Sequence, residues 1–329
     1  MPATNGKFLL LICLLTLLCL AAVLLSLTSG SIDLGLGETW EALTSREATL
    51  QRQVILDLRL PRTLAALVTG GLLGLSGVIM QVLMRNPLAD PYILGVSGGA
   101  SAAALALLLT GASAIWIPQA AFAGALCSIL LVFGLASAGG RWSVTRLLLT
   151  GVVVSAGWGA VINLLLASSA TNTVQSMLFW LMGDLSQSRI GIWQMLILAA
   201  GMLVGLVVAR QLNVLVRGEL PALSLGVNVS RLRIVLYLTA SVLTATAVTI
   251  AGAIGFVGLV IPHMLRLLGA RDHRLLVPLA ALLGGSFLVI ADSLARTVIA
   301  PQQLPTGVVT ALIGVPAFLV ILRSTIRYH

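Results

Sequence analysis

The sequence has few residues whose types and spacing could support catalysis. Its one lysine, Lys7, is not part of a GxxxxGK[ST] run, so no phosphate-binding loop for ATP is predicted within this chain. There is no HExxH run, and no GxSxG run with recognisable catalytic partners. The polar residues inside the apolar segments are mainly serine, threonine, Asn163 and Gln81. Intramembrane enzymes usually need buried acids or histidines, so this composition argues against an enzyme.

Asp292 and Arg296 are spaced i, i+4 near the end of an apolar segment. Residues at this spacing share one helix face, so we expect the two side chains to pair with each other rather than to relay protons. A secondary transporter more typically carries ionisable groups at the bilayer midplane. Cys13, Cys19 and Cys127 lie in apolar runs and are interpreted as small hydrophobic residues, with no disulfide and no metal site.

The elements that must position these residues are transmembrane helices. Hydrophobic residues make up 59% of the chain and charged residues 9%, whereas soluble domains carry about 25% charged residues. We therefore predict an all-α, polytopic membrane protein with about ten spans in a single transmembrane domain, residues 1–329. The predicted spans cover approximately residues 8–28, 63–84, 92–112, 118–138, 147–168, 190–209, 234–251, 254–268, 276–296 and 306–322.

Residues 234–265 decide the number of spans. This stretch is uncharged, and as one helix it would be about 48 Å long, against about 30 Å for the hydrocarbon core. Arginines flank both of its ends, and arginine favours the cytoplasmic side. We therefore predict two short passes joined by a tight turn near residues 252–255. In the second span, Gly70, Gly74 and Gly77 share one helix face, which allows close approach of another backbone.

The basic residues predict the orientation of the chain. With the N-terminus inside, thirteen of the nineteen Lys and Arg residues fall on the cytoplasmic side, as the positive-inside rule favours. Ten spans then place both termini in the cytoplasm. The net charge of +9 therefore reports topology rather than binding to nucleic acid. The six arginines predicted on the outer side are Arg46, Arg52, Arg59, Arg62, Arg189 and Arg296.

Three connections between the predicted spans are hydrophilic. Residues 32–60 form the longest and are predicted to hold one short surface helix, and residues 169–189 are predicted to be a polar connection. Residues 210–233 are predicted to be a basic cytoplasmic loop with a short helix that ends at Gly226. This loop is either an ordinary positive-inside loop or a docking surface. Its apolar residues favour a surface covered by a partner. They are Leu220, Leu223, Leu225 and Val227.

Several motifs follow one another along nearly the whole chain. They are RLPR at 59–62, GLSGVIMQ at 74–81, RNPLADPYILGVSGGA at 85–100, ALSLG at 222–226, GAIGFVGLVIPHMLRLLG at 252–269, DHR at 272–274 and LPTGVVTALIGVPAF at 304–318. Together they resemble the permease subunits of the iron-chelate and cobalamin ABC importers, the FecCD-type permeases of type II importers. The match is specific to the family and does not identify the cargo.

The resemblance implies a homodimeric permease in the bacterial inner membrane, surrounded by lipid. Two separate ATPase subunits would bind ATP and Mg²⁺, and a periplasmic substrate-binding protein would deliver haem, a ferric siderophore or a related metal chelate. This chain would hold no cofactor and no metal of its own, and His263 and His273 match family positions whatever the cargo. Arg59, Arg62 and Arg296 match arginines that dock acidic residues of the binding protein.

Two further groups of residues match functional positions of the family. The residues of the implied cytoplasmic gate are Asn86, Leu88, Ser143 and Thr145. The residues of the implied ATPase-coupling element are Ala222, Leu225, Gly226 and Arg231. A cobalamin permease of the same family is one alternative. A proton-driven transporter that needs no ATPase, and an intramembrane enzyme, are alternatives from other classes.

Overall fold

The computed structural model describes residues 3–30, 34–45, 47, 49–137 and 143–326. Arg46, Arg141, Arg327 and His329, which enter the predicted topology, lie outside the described residues. Every regular element within the described ranges is a helix, which confirms the all-α prediction. The α-helices are α1 (Ala3–Thr28), α2 (Leu36–Thr44), α3 (Leu50–Gln53), α4 (Leu60–Leu83), α5 (Val96–Leu109), α6 (Ile117–Ser137), α7 (Val144–Ala167), α8 (Thr171–Met182), α9 (Ile192–Val207), α10 (Ala209–Leu215), α11 (Glu219–Ser224), α12 (Val229–Ala251), α13 (Val257–Leu267), α14 (His273–Thr297) and α15 (Thr306–Ile326).

The number of apolar helices agrees roughly with the prediction of ten spans. Six helices in the described part of the chain are long and apolar enough to cross a membrane, and α9 and α10 form a seventh candidate that bends by 61°. Three shorter apolar helices, α5, α13 and α15, complete the set. A π-helical turn, Val54–Arg59, joins α3 to α4, so that one continuous helix covers Leu50–Leu83.

Three connections contain more helix than the sequence indicates. The polar connection 169–189 includes α8, whose twelve residues TNTVQSMLFWLM have too few apolar residues in succession to predict a span. The loop 210–233 includes most of α10 as well as α11. Residues 32–60 hold a second short helix, α3, in addition to α2.

The stretch 234–265 is divided between a full-length α12 and a short α13, with the break at residues 252–256.

Helix α4 lies at the centre of the fold. Twenty of its twenty-four residues are buried. Its glycine face allows the backbones of two neighbouring helices to touch it, because a Cβ at Gly70 would lie 2.1 Å from the carbonyl oxygen of Gly284, and a Cβ at Gly77 would lie 1.9 Å from that of Gly258. No other residue fits at such separations. The glycines therefore hold α14 and α13 at fixed positions against α4.

Helix α14 connects the two ends of the bundle. It has 25 residues, which corresponds to a length of about 37 Å. At its C-terminal end it carries Asp292 and Arg296, and we call this end of the molecule the arginine end. Its N-terminal residue His273 contacts α10, next to α11, and we call this the α11 end. Helix α14 therefore packs on α4 and joins the arginine end to the α11 end.

Candidate functional site

Asp292 is the centre of a polar cluster at the arginine end. Its side chain is fully buried and accepts from Arg62 of α4, with Nη2–Oδ1 at 2.9 Å and Nε–Oδ2 at 3.0 Å. The Nε atom of Arg296 lies 3.2 Å from Oδ2, and Thr306 Oγ1 donates to Oδ1 at 3.0 Å. The predicted pairing of Asp292 with Arg296 is confirmed. The second partner, Arg62, is 230 residues away in the sequence, and no local spacing indicates it.

Arg59 and Arg296 attach α1 to this cluster. Arg59 Nη1 donates to the carbonyl oxygens of Leu27 and Thr28 at 2.7 and 2.8 Å. Arg296 Nη2 donates to the carbonyl oxygen and the hydroxyl of Ser26 at 3.1 and 2.8 Å. The last carbonyls of a helix lack intrahelical donors, and a cation there also complements the helix dipole. The two arginines therefore stabilise the end of α1.

The three arginines predicted to dock the binding protein line one cleft of about 350 Å³. Arg59, Arg62 and Arg296 are 5%, 7% and 6% exposed, so the edges of their guanidinium groups, rather than whole side chains, reach the cleft. Arg62 also donates from Nη1 to Gln303 Oε1 at 2.7 Å. Since Arg62 and Arg296 share the single carboxylate of Asp292, the cluster keeps an excess of positive charge that attracts anionic groups.

A second and larger cavity, of about 770 Å³, lies beside the arginine cleft. Gln187 lines both. Phe179 and Trp180 of α8 contribute apolar surface to the larger cavity, and Asp184 and Arg189 contribute charge. The cavity therefore combines an aromatic wall with a polar one. Neither the cavity nor the helix that forms its wall was expected from the sequence.

Asn86 and Leu88, predicted as gate residues, lie in the turn that follows α4. The Oδ1 atom of Asn86 accepts from the backbone N–H of Leu88 at 2.9 Å, which fixes an Asx turn. Both side chains are exposed. Arg85 enters this turn with φ of 48°, a conformation that non-glycine residues seldom adopt. The turn therefore presents Leu88 away from the packed core.

Asp90 ends the same turn. Its Oδ1 atom accepts from the backbone N–H of Tyr92 at 2.8 Å and begins the 3₁₀ turn Pro91–Leu94. Burial raises the pKa of Asp90 to about 6, and the hydrogen bond from Tyr92 offsets only part of that increase. Desolvation disfavours the charged carboxylate, so Asp90 titrates closer to neutrality than an exposed aspartate.

Ser143 and Thr145, the other predicted gate residues, lie at the start of α7. Ser143 Oγ accepts from the backbone N–H of Arg146 at 3.1 Å, which makes Ser143 the N-cap of α7. Thr145 is exposed in the first turn. Within the described residues, no hydrogen bond joins either residue to Asn86 or Leu88. The structure thus places the four residues on two separate turns.

The predicted coupling element is the helix α11 and the residues that follow it. Ala222 is buried, whereas Leu220, Leu223 and Leu225 are 79%, 52% and 70% exposed. Gly226 has φ of 77°, and the backbone N–H of Val227 donates to the Ala222 carbonyl oxygen at 3.0 Å, which closes the helix as predicted. An exposed row of leucines beside a polar surface is typical of a protein-binding site.

A polar contact holds α11 against the long helix α12. Glu219 of α11 forms an ion pair with Arg233 of α12 at 2.5 Å. Arg231 lies two residues before Arg233, in the first turn of α12, where its backbone N–H donates to the Asn228 cap at 3.0 Å. The exposed leucines are therefore presented by a helix that is fixed to α12.

Asn213 joins α10 to the start of α14. Its Nδ2 donates to Asp272 Oδ1 at 2.8 Å, and its Oδ1 accepts from the backbone N–H of His273 at 3.0 Å. Burial raises the pKa of Asp272, but hydrogen bonds from Asn213 and from the N–H of Arg274 outweigh it, so that this pKa is lowered overall. Within the described residues, no group of three or more His, Cys, Asp and Glu side chains could hold a metal ion.

Comparisons with known proteins agree with this architecture. The FecCD transport family matches residues 17–324 of the chain. The cobalamin import system permease protein BtuC of Halobacterium salinarum is 43% identical over 88% of this chain and 80% of its own length. The hemin transport system permease protein HmuU of Yersinia pestis is 38% identical over 94% of this chain and 96% of its own length.

A solved structure has the same fold. It is described as an inward-facing ABC transporter of the metal-chelate type, with a TM-score of 0.82 and 32% sequence identity. The likeness covers 96% of this chain and 99% of that chain. The chain therefore shares the fold of that transporter chain, including the two ends described above.

Proposed function

Since this chain belongs to the FecCD transport family and is an ABC importer permease, we propose that two copies of it import a large metal chelate across a bacterial inner membrane. The cargo class is haem, a ferric siderophore or a related chelate. The observation that carries this proposal is the match over residues 17–324, together with a structure that leaves both ends of the bundle suited to protein partners.

The pathway lies between two copies of the chain in this proposal, and α7 supports it. This helix is long enough to span a membrane, yet only 11% of its most apolar stretch is buried within the subunit. Asn163 is exposed in the last two turns of this helix, and a Cβ at Gly157 or Gly159 would meet no atom within 4 Å. An exposed amide is unfavourable in lipid, whereas a second copy or a watery pathway would accommodate it.

The ATPase subunits bind the α11 end in this proposal. Leu220, Leu223 and Leu225 are exposed there, and a partner that covers them would remove apolar surface from water. ATP and Mg²⁺ would be bound by those subunits and not by this chain. A displacement of α11 would reach α14 through Asn213 and α12 through the Glu219–Arg233 ion pair.

The arginine end faces outward and receives the substrate-binding protein in this proposal. Both termini are then cytoplasmic, in agreement with the positive-inside bias of the sequence. Acidic side chains on the binding protein would meet the cleft lined by Arg59, Arg62 and Arg296. The acceptor for Arg62 Nη1 is the neutral amide of Gln303 rather than a carboxylate. An incoming carboxylate could therefore replace Gln303 as the acceptor without breaking the ion pair between Arg62 and Asp292.

A cobalamin importer is the second candidate for the cargo, favoured by the 43% identity to a cobalamin permease. Uptake assays in proteoliposomes distinguish the candidates. The permease would be reconstituted with its ATPase subunits and a binding protein, and then offered haem, a ferric hydroxamate siderophore or cobalamin. ATP-dependent accumulation of one metal chelate is the expected result. Accumulation that persists without ATP and collapses with the proton gradient would contradict the proposal and favour a proton-driven transporter.

A further inference from the structure

We infer that Arg189 is an additional contact for an acidic side chain of the substrate-binding protein, and that the cavity beside it receives the protein segment that carries this side chain. The inference rests on the proposed docking of that protein at the arginine end. It adds a fourth cation to the three that the family resemblance implies, and it assigns a role to the larger cavity.

The first observation is that Arg189 is accessible to a partner protein, whereas the three arginines of the cleft are nearly buried. Arg59, Arg62 and Arg296 are almost completely buried and donate to the acceptors described above. Arg189, in contrast, is exposed and forms no ion pair with any residue of the described part of the chain. A hydrated and unpaired guanidinium attracts a distant carboxylate, whereas a buried and paired one contributes mainly after contact.

The second observation is continuity between the two cavities. Gln187 lines both the arginine cleft and the larger cavity, and Arg189 lines the latter. A protein that covers the cleft would therefore extend over the segment 184–189. At about 770 Å³ the larger cavity is much bigger than one carboxylate, so a loop with several side chains is the occupant it fits.

The walls of the cavity indicate the chemistry of that loop. Phe179 and Trp180 form an apolar wall against which an aliphatic or aromatic side chain can pack. Asp184 also lines the cavity, but its Oδ1 atom accepts from the backbone N–H of Ser186 at 2.9 Å and its Oδ2 atom accepts from the Ser186 hydroxyl. The carboxylate of Asp184 thus already accepts two local hydrogen bonds, whereas the guanidinium of Arg189 forms no ion pair within the described residues. The fitting partner is a loop with an acidic residue beside an apolar one.

Binding affinity tests the inference. The complex of permease and ATPase subunits, held in detergent, would be titrated with the binding protein that stimulates ATP hydrolysis by the wild-type complex. Arg189→Glu should weaken binding by about tenfold or more, with a smaller salt dependence than the wild type shows, and Arg189→Lys should restore most of the affinity. Lys7→Glu is the control, because it makes the same charge change on an exposed residue that lines neither cavity.

The possible results separate this inference from the docking proposal. If Arg189→Glu binds like the wild type while Gln303→Glu weakens binding, the inference is wrong and the arginine cleft remains the docking site. If both variants bind like the wild type, the docking proposal is wrong as well. A loss that occurs only in phospholipid nanodiscs and not in detergent would assign Arg189 to a lipid head group, which also overturns the inference.

Discussion

The two ends of this permease differ in which side chains they bury and which they expose. At the arginine end the charged side chains are turned inward, where Asp292 accepts from Arg62 and pairs with Arg296. At the α11 end the apolar side chains are turned outward, with Leu220 79% exposed. The first arrangement stabilises the subunit by itself, whereas the exposed leucines of the second would contribute free energy only in contact with a partner. Mutations at the two ends should therefore affect different measurements.

The largest effect is expected from Asp292→Ala. This substitution leaves Arg62 and Arg296 buried without their shared carboxylate, and breaking a buried ion pair costs about 3–5 kcal/mol. The thermal unfolding midpoint of the purified subunit in detergent should fall sharply. Asp57→Ala, at an exposed aspartate, is the control and should leave the midpoint nearly unchanged. Equal midpoints for the two variants would show that the cluster does not stabilise the fold.

The converse effect is expected from Leu220→Asp combined with Leu223→Asp. Both side chains are exposed, so the unfolding midpoint should change little. Affinity for the ATPase subunits should fall by about tenfold or more, because charges would enter an apolar contact. Pull-down of the ATPase subunits by the tagged permease measures this. Leu36→Asp, at an exposed leucine of α2, is the matched control. Full retention of the ATPase subunits by the double variant would exclude α11 as their binding site.

A smaller effect should follow from Asn213→Ala, which removes the link between α10 and α14. Loss of these hydrogen bonds should cost about 1–2 kcal/mol. If motion of α11 reaches α14 through this residue, fewer cargo molecules should enter per ATP hydrolysed. Asn228→Ala, which removes only a local cap on α12, should leave this ratio unchanged. Equal ratios in both variants would mean that coupling follows another route.

The smallest effect concerns Asp90 and pH. Its folded-state pKa of about 6 lies above that of an unfolded aspartate, so the folded state binds this proton more tightly. The contribution of this carboxyl group to the free energy of unfolding is complete at low pH and is lost as pH rises from about 4 through 6. The loss is about 1 kcal/mol, because the side chain is only half-buried. Asp90→Asn keeps an acceptor for Tyr92 and should abolish that decline in thermal unfolding. Parallel pH profiles for the two proteins would contradict this.

Local sequence rules predict much of the α11 end and less of the arginine end. The cap at Gly226 and the exposed leucines follow from short-range patterns in residues 210–233. The Asp292–Arg296 pair follows from i, i+4 spacing. By contrast, Arg62 and Asp292 meet only because Gly70 and Gly284 bring α4 and α14 into backbone contact, and no pattern within either helix specifies its partner.

Two other features could not be predicted for physical reasons. Helix α8 is short and mixed in polarity, so its apolar residues do not reach the length that indicates a span. It is nevertheless the wall of the larger cavity. The burial of the predicted docking arginines depends on the ends of three different helices meeting at one point. The sequence indicated their charge and side but not that Ser26, Leu27 and Thr28 would accept from them.

The central claim is that this chain is a conduit driven by ATPase subunits bound at its α11 end. Accumulation of metal chelate in proteoliposomes tests it most directly, with the permease present alone or together with the ATPase subunits and binding protein. We expect ATP-dependent accumulation by the full complex, none by the permease alone, and strongly reduced accumulation when the Leu220→Asp/Leu223→Asp permease is mixed with the same ATPase subunits and binding protein. Accumulation by the permease alone, without nucleotide, would contradict the account.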